Sequence, residues 1–161
     1  MDIAKIYDRF GDRMYHYLSV KLGSAQDAED VLQEVFYRLI KNPLKFRLVR
    51  DQAAYIFRAA RNEALRFLGR KIRDRRISSR ALELQDVIRK SLTGVGRDEE
   101  DRAARALAGI PEEQREVIVL KIFEELTFKE ISSVCGLSIN TAASRYRYGL
   151  EKVREILEEG R

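Results

Sequence analysis

The chain has one cysteine, one histidine, two prolines and no tryptophan in 161 residues. Each shortage excludes something. A single thiol, Cys135, cannot form an internal disulfide, and with His16 as the only imidazole there is no His/Cys cluster for zinc. Cys135 stands beside Gly136 on a face expected to pack inward, so it reads as a small buried hydrophobe rather than a reactive thiol. His16 sits among Tyr15, Tyr17 and Leu18 and reads as structural. Two prolines and nine glycines in a sequence dominated by helix formers leave little to interrupt helices. No apolar run is long enough to span a bilayer, and the opening residues lack a signal-peptide layout, so membrane insertion is not expected and a cytoplasmic location is. No Ser/His/Asp set, catalytic carboxylate pair, phosphate-binding glycine loop or metal cluster is visible, so neither catalysis nor a cofactor is expected.

What is present is charge, unevenly spread. The net charge of +5 hides three blocks. Residues 24–37 hold four acids (Asp27, Glu29, Asp30, Glu34) and no base. Arg38 to Arg76 holds thirteen Arg/Lys against three acids. Asp98 to Glu130 holds ten acids and five bases. The basic block suggests a polyanionic partner, while the acidic blocks argue against one large DNA-coating surface.

Apolar periodicity predicts an all-α protein. Ile3, Ile6, Tyr7, Phe10, Met14, Tyr17, Leu18 and Leu22 recur at helical spacing until Gly23. Ser24 can cap a second helix carrying Val31, Leu32, Val35, Phe36, Leu39 and Ile40, which stops near Asn42-Pro43. Lys41 to Asp51 reads as a basic loop, and Gln52 to about Arg73 as a third helix with Ile56, Ala59, Ala60, Ala64, Leu65 and Leu68 inward. These elements make a small bundle over residues 1–76. Ser78-Ser79 and Thr93 to Gly96 punctuate a linker, 77–97, with room for a short helix from Ala81 to Leu92. A second bundle follows over 98–161: a helix from Asp98 to Leu107, another from Pro111 to Phe123, and then a helical hairpin.

That hairpin, Leu126 to Tyr148, is the most specific signal. Thr127 and Glu130 form a capping box, Gly136 makes the turn, and Ser138 caps the next helix. Ile131 and Cys135 point inward, as do Ala142, Tyr146, Leu150 and Val153 of the second helix. Its opening turns carry Asn140, Thr141, Ser144, Arg145 and Arg147. This is the build of a helix-turn-helix whose second helix enters the DNA major groove, where Arg can fork to guanine and Asn to adenine.

Two segments resemble one family. Asp27 to Leu39 (DAEDVLQEVFYRL), with Ala60 to Leu65 (ARNEAL), is similar to the N-terminal domain of bacterial sigma factors of the sigma-70 family. Ile110 to Leu120 (IPEEQREVIVL) plus the helix-turn-helix resembles the promoter-recognition domain of the same family. The compact two-domain length is similar to the extracytoplasmic-function (ECF) group. The resemblance implies that Asp27, Asp30, Gln33 and Glu34 grip the β′ clamp helices of core RNA polymerase. It implies that Lys45, Phe46, Arg47, Arg50, Tyr55, Arg58, Arg61, Asn62 and Arg66 hold the opened −10 element. Phe46 and Tyr55 would serve as stacking platforms beside phosphate-neutralising cations. It implies that Asn140, Thr141, Ser144, Arg145 and Arg147 contact the −35 element, that the β flap is a further contact, and that an anti-sigma factor is a partner to look for. Four positions depart from the family's habit: Tyr55 replaces a usual tryptophan, Arg66 a frequent acid, Ser132 a frequent alanine, and Ala142 a frequent branched residue. Read without the resemblance, the residues leave two alternatives open. One is an ordinary helix-turn-helix regulator with an N-terminal sensor or dimerisation bundle. The other is a protein-interaction module. The acidic helix speaks against the first and the recognition helix against the second.

Overall fold

A computed structural model describes residues 2–73, 81–92 and 96–160. The expected breaks at Ser78-Ser79 and Thr93 to Val95, and the boundary between residues 76 and 77, lie outside the described residues. Among those described, the elements are helices α1 (Ile3–Leu22), α2 (Ala25–Lys41), α3 (Pro43–Leu48), α4 (Gln52–Arg73), α5 (Ala81–Ser91), α6 (Arg97–Ala108), α7 (Glu112–Ile118), α8 (Phe128–Cys135) and α9 (Ile139–Glu159). A π-helical turn, Val119–Phe123, continues α7. No helix among these residues is long and apolar enough to cross a membrane.

Local chemistry sets the helix ends. The Asp2 carboxylate accepts from the backbone N–H of Ala4 (3.1 Å) and Lys5 (3.4 Å), opening α1. Gly23 closes it at φ 66°, a conformation that costs other residues about 1 kcal/mol. The Ser24 hydroxyl accepts from Asp27 N–H to start α2, and the Asp51 carboxylate from Ala54 N–H to start α4. The segment expected to be a basic loop instead contains α3. Pro43 occupies its first turn, where a missing N–H costs nothing, and the single turn folds Phe46 into the core.

The first bundle packs Ile6, Phe10, Met14 and Leu18 of α1 against Val31, Val35 and Leu39 of α2 and Ile56, Phe57, Ala60 and Ala64 of α4. Phe57, not Leu65, completes the inner stripe of α4; Leu65 and Ile40 face solvent. The Tyr17 and Phe57 rings meet edge-on at 5.7 Å, a favoured aromatic geometry. Helix α5 buries Val87 and Ile88 and packs on α1 and α6, so it joins the two bundles.

The second bundle assembles α6 to α9 around Leu107, Val117, Ile118, Leu120, Ile131, Val134 and Ala142. Arg115 is buried beneath it, donating to the carbonyls of Leu107, Ala108 and Ile110 at 3.1–3.2 Å. These are carbonyls freed where α6 ends. The helix expected from Pro111 to Phe123 stays α-helical only to Ile118. In the π turn after it, Glu124 N–H donates to Val119 O, and Leu126 N–H to Leu120 O. In this register Ile122 faces solvent while Glu124 is buried.

Candidate nucleic-acid interface

The helix-turn-helix forms as its caps demand. Thr127 Oγ1 accepts from Glu130 N–H (3.1 Å), and the Glu130 carboxylate accepts in return from Thr127 N–H (3.0 Å). Gly136 turns the chain at φ 66°, and Ser138 Oγ accepts from Thr141 N–H to open α9. The unusual Ser132 has a use: its hydroxyl donates to Leu137 O at 2.5 Å, tying α8 to the turn. Ala142 is fully buried, so a small residue lets α9 sit close to the helix beneath. The same closeness recurs at Gly149, where a Cβ would lie 2.8 Å from Ile118 Cδ1 and 3.1 Å from Gln114 Cβ. Leu150, expected inward, is 37% exposed, because Gly149 is the residue that meets α7.

Seated this way, α9 exposes Asn140, Thr141 and Arg147, with Ser144 and Arg145 half-buried beside them. The five side chains form one polar, cationic stretch over its first two and a half turns. Thr141 Oγ1 also accepts from the Ser138 hydroxyl at 2.8 Å.

On the first bundle, Asp30 and Gln33 are exposed on α2. Their two expected companions are engaged: Asp27 pairs with Lys71 Nζ of α4 at 2.6 Å, and Glu34 accepts from Arg38 Nε at 3.1 Å. Along α3 and α4, Lys45, Arg47, Arg50, Arg58, Asn62 and Arg66 are exposed. Arg66 adds less positive charge than its substitution for an acid suggests, since it pairs with the buried Glu63, which Arg38 also approaches at 2.8 Å. Phe46 is a correction. It is only 2% exposed, so it is core and no stacking platform in this structure. Its ring centroid lies 6.0 Å from that of Tyr55, which is half-buried at the surface.

Arg61 is engaged differently from its neighbours. Its Nε lies 2.9 Å from the carboxylate of Glu116, on α7 of the other bundle. Glu116 is the hub of a buried cluster, its side chain 4% exposed. It pairs with Lys21 Nζ and accepts from Tyr17 O–H (3.2 Å) and Cys135 Sγ–H (3.2 Å). Burial pushes its carboxyl up, but the Lys21 ammonium and Arg61 guanidinium outweigh this and hold it below the ordinary glutamate range. Burial, reinforced by the same carboxylate, raises the Tyr17 phenol well above its usual range and the Cys135 thiol to about 12. A second contact lies at the π turn. The Glu124 side chain, 2% exposed, meets His16 Nδ1 at 2.7 Å and Arg13 Nε at 3.6 Å, while its carbonyl accepts from Arg13 at 2.6 Å. Neither carboxylate was singled out from the sequence. Glu116 is an acid at a position facing the core, three residues after Glu113 and one after Arg115, and nothing local marks its partners.

The comparisons with known proteins agree with this layout. The family models "Sigma-70 region 2" and "Sigma-70, region 4" match residues 6–74 and 100–153. The ECF RNA polymerase sigma factor SigW of Bacillus subtilis is 26% identical, covering 97% of this chain and 89% of its own length. The ECF sigma factor RpoE of Cereibacter sphaeroides is 27% identical, with 94% and 84% covered. Among solved structures, the sigma factor RpoE of Bartonella quintana, in complex with the anti-sigma factor NepR, superposes with a TM-score of 0.74 at 20% identity over 98% of each chain. With both family regions present in order on a fold shared along its length, the chain belongs to the sigma-70 family of RNA polymerase sigma factors, in its extracytoplasmic-function group.

Proposed function

We infer that this protein binds core RNA polymerase and directs promoter-specific initiation by gripping two promoter elements. The acidic face of α2, with Asp30 and Gln33 free and Asp27 and Glu34 beside them, docks on the β′ clamp helices, where complementary charge steers assembly. The second bundle contacts the β flap and holds duplex −35 DNA. There Asn140 and Arg145 reach base edges, and Thr141, Ser144 and Arg147 hold phosphates and register. The ridge of Lys45, Arg47, Arg50, Arg58, Arg61, Asn62 and Arg66 holds the opened −10 strand, with Tyr55 as its stacking platform. Energy from captured unpaired bases offsets the unstacking of the duplex, so melting needs no nucleotide hydrolysis. An anti-sigma factor would restrain it, as the NepR complex suggests by analogy.

The observation that carries this reading is the exposed polar, cationic face at the start of α9, on a helix-turn-helix capped at both helices. Transcription with purified core polymerase on a randomised promoter library tests it. Enrichment of two separated elements is expected. Binding of the factor to duplex DNA without polymerase, and no transcript with it, would instead favour an ordinary helix-turn-helix regulator.

A further inference from the structure

A cavity of about 430 Å³ lies where α5 crosses α1 and the start of α2, within the size range of small-molecule sites. Residues Tyr15, His16 and Ser19 of α1 and Glu83, Asp86 and Val87 of α5 line it, and none of its lining residues is assigned to polymerase or DNA. Two of them carry buried polar atoms without a hydrogen-bond partner, His16 Nε2 and Ser19 Oγ. These residues stand three apart, on one face of α1. Ser19 is only 4% exposed, and a hydroxyl left unpartnered in such a place is destabilising. The His16 ring is held in place by its other nitrogen. Nδ1 meets the Glu124 carboxylate at 2.7 Å, and the ring packs edge-on against Phe123 with centroids 5.3 Å apart. A carboxylate only accepts, so Nδ1 carries the proton and Nε2 of the neutral ring is an acceptor.

The other polar groups of the cavity divide into engaged and free. Asp86 is met by Arg89 at 2.8 Å and Lys90 at 3.0 Å, and the Ser91 hydroxyl donates to Val87 O at 3.0 Å. Glu83, exposed at the rim, has no ion pair among the described residues. The groups without partners are therefore an acceptor nitrogen, a hydroxyl and a carboxylate, a set that favours N–H donors and positive charge. The Tyr15 ring and Val87 add apolar surface, and an aromatic face also attracts organic cations. Against this stand the first-turn N–H groups of α2 at Ala25 and Gln26, which favour an anion.

We propose that this cavity binds a small organic cation, an amine or amidine on an apolar body, whose N–H groups donate to His16 Nε2 and Ser19 Oγ and whose charge is met by Glu83. The ligand satisfies two buried atoms that the protein leaves without partners, and its apolar body rests on Tyr15 and Val87. It touches α1 and α5 at once, so binding stabilises the seat of α5 on the first bundle. The site is independent of the initiation reading, since it shares no residue with the faces assigned to polymerase or DNA.

The test titrates the full chain with three molecules of one shape and different charge: benzamidine (cationic), benzamide (neutral) and benzoate (anionic). His16 is the sole histidine, so its imidazole nitrogens give an unambiguous signal in long-range proton–nitrogen correlation spectra. Benzamidine should shift the Nε2 resonance saturably, and more tightly than benzamide or benzoate does. Glu83→Gln keeps the shape of an exposed side chain and removes its charge; Ser19→Ala removes the buried hydroxyl. Each should weaken benzamidine about fivefold or more, since each loses one of its partners. Ser19→Ala should also melt no lower than wild type, because the hydroxyl it deletes has no partner in the fold. No saturable shift at His16 with benzamidine would overturn the proposal. So would wild-type affinity in both variants, or benzoate binding as tightly as benzamidine, which would assign the cavity to the N-terminus of α2 and to anions.

Discussion

Helix α9 presents Asn140, Thr141 and Arg147 to solvent, whereas α4 lies under α8 with Arg61 held by Glu116. The two helices assigned to promoter DNA therefore differ in how they are supported and in how they are occupied. Helix α9 is a local product: its cap, its preceding turn and its close approach at Gly149 all lie within one bundle. Helix α4 is seated on its own bundle through Ile56, Phe57, Ala60 and Ala64, but the other side of it is finished by residues some fifty positions downstream. A reading surface built locally can remain open in every state of the protein. One completed by the neighbouring bundle depends on how the two bundles meet.

The largest effect should come from removing the seat of α4. Phe57 is fully buried, meets Tyr17 edge-on and lies 5.3 Å beneath the Arg13 guanidinium. Phe57→Ala should cost about 3–5 kcal/mol in urea denaturation. Because Arg13 also holds Glu124, it should loosen the bundle interface along with α4. The matching cut on the other helix is Gly149→Ala. It pushes α9 off Ile118 and Gln114 and should cost about 1–3 kcal/mol. Urea unfolding followed by hydrogen exchange should show the loss concentrated in α7 and α9. If amides of α4 lose protection equally, the bundles are one cooperative unit and the contrast between the helices fails.

A second pair of variants separates function from support. Arg145→Ala should weaken −35 duplex binding by about 1–3 kcal/mol and relax selectivity at one position, measured by competition among mutated duplexes. Arg58→Ala should leave that binding unchanged but reduce permanganate reactivity in the −10 region of a polymerase complex. Normal melting with Arg58→Ala would remove it from the −10 ridge.

The mildest probe is pH. Glu116 has a depressed pKa in the folded protein, so its contribution is present above the ordinary glutamate value of about 4.3 and is lost as pH falls through the lower folded value. The groups facing it are Tyr17 and Lys21 from α1, Arg61 from α4 and Cys135 from α8, with Glu112 sharing Lys21. The radius of gyration from small-angle scattering should show a Glu116-dependent rise only below about pH 4.3. Glu116→Gln should lack the acid step. An identical acid profile in the variant would mean that some other carboxylate controls the interface.

Much of this was legible in the sequence because it is encoded within a few residues. Ser24, Thr127 with Glu130, Gly136 and Ser138 mark helix ends through contacts at most a few positions away, and each cap forms as written. The inward positions of Ile131, Cys135 and Ala142 follow from helical periodicity and are likewise observed. Reading failed where one turn competes with another solution. The basic stretch around Phe46 has too few residues to show a period, yet Pro43 makes it a helix and its Phe46 ring joins the buried core. The π turn after Ile118 was equally invisible, since its sequence continues an α-helical pattern.

By itself, then, the sequence determined the helices, their ends, the helix-turn-helix and the segregation of acidic and basic faces, because these depend on local hydrogen bonds and on the 3.6-residue period. Only the tertiary structure decided which charges are free. Glu116 and Glu124 read as two acids in an acidic block. They become the centres of the bundle interface because Arg13, His16, Lys21 and Arg61, roughly fifty-five to a hundred and eleven residues earlier, arrive beside them where both carboxylates are buried. Charge pairing acts across space and burial multiplies it, and neither is a property that neighbouring residues in the chain can announce.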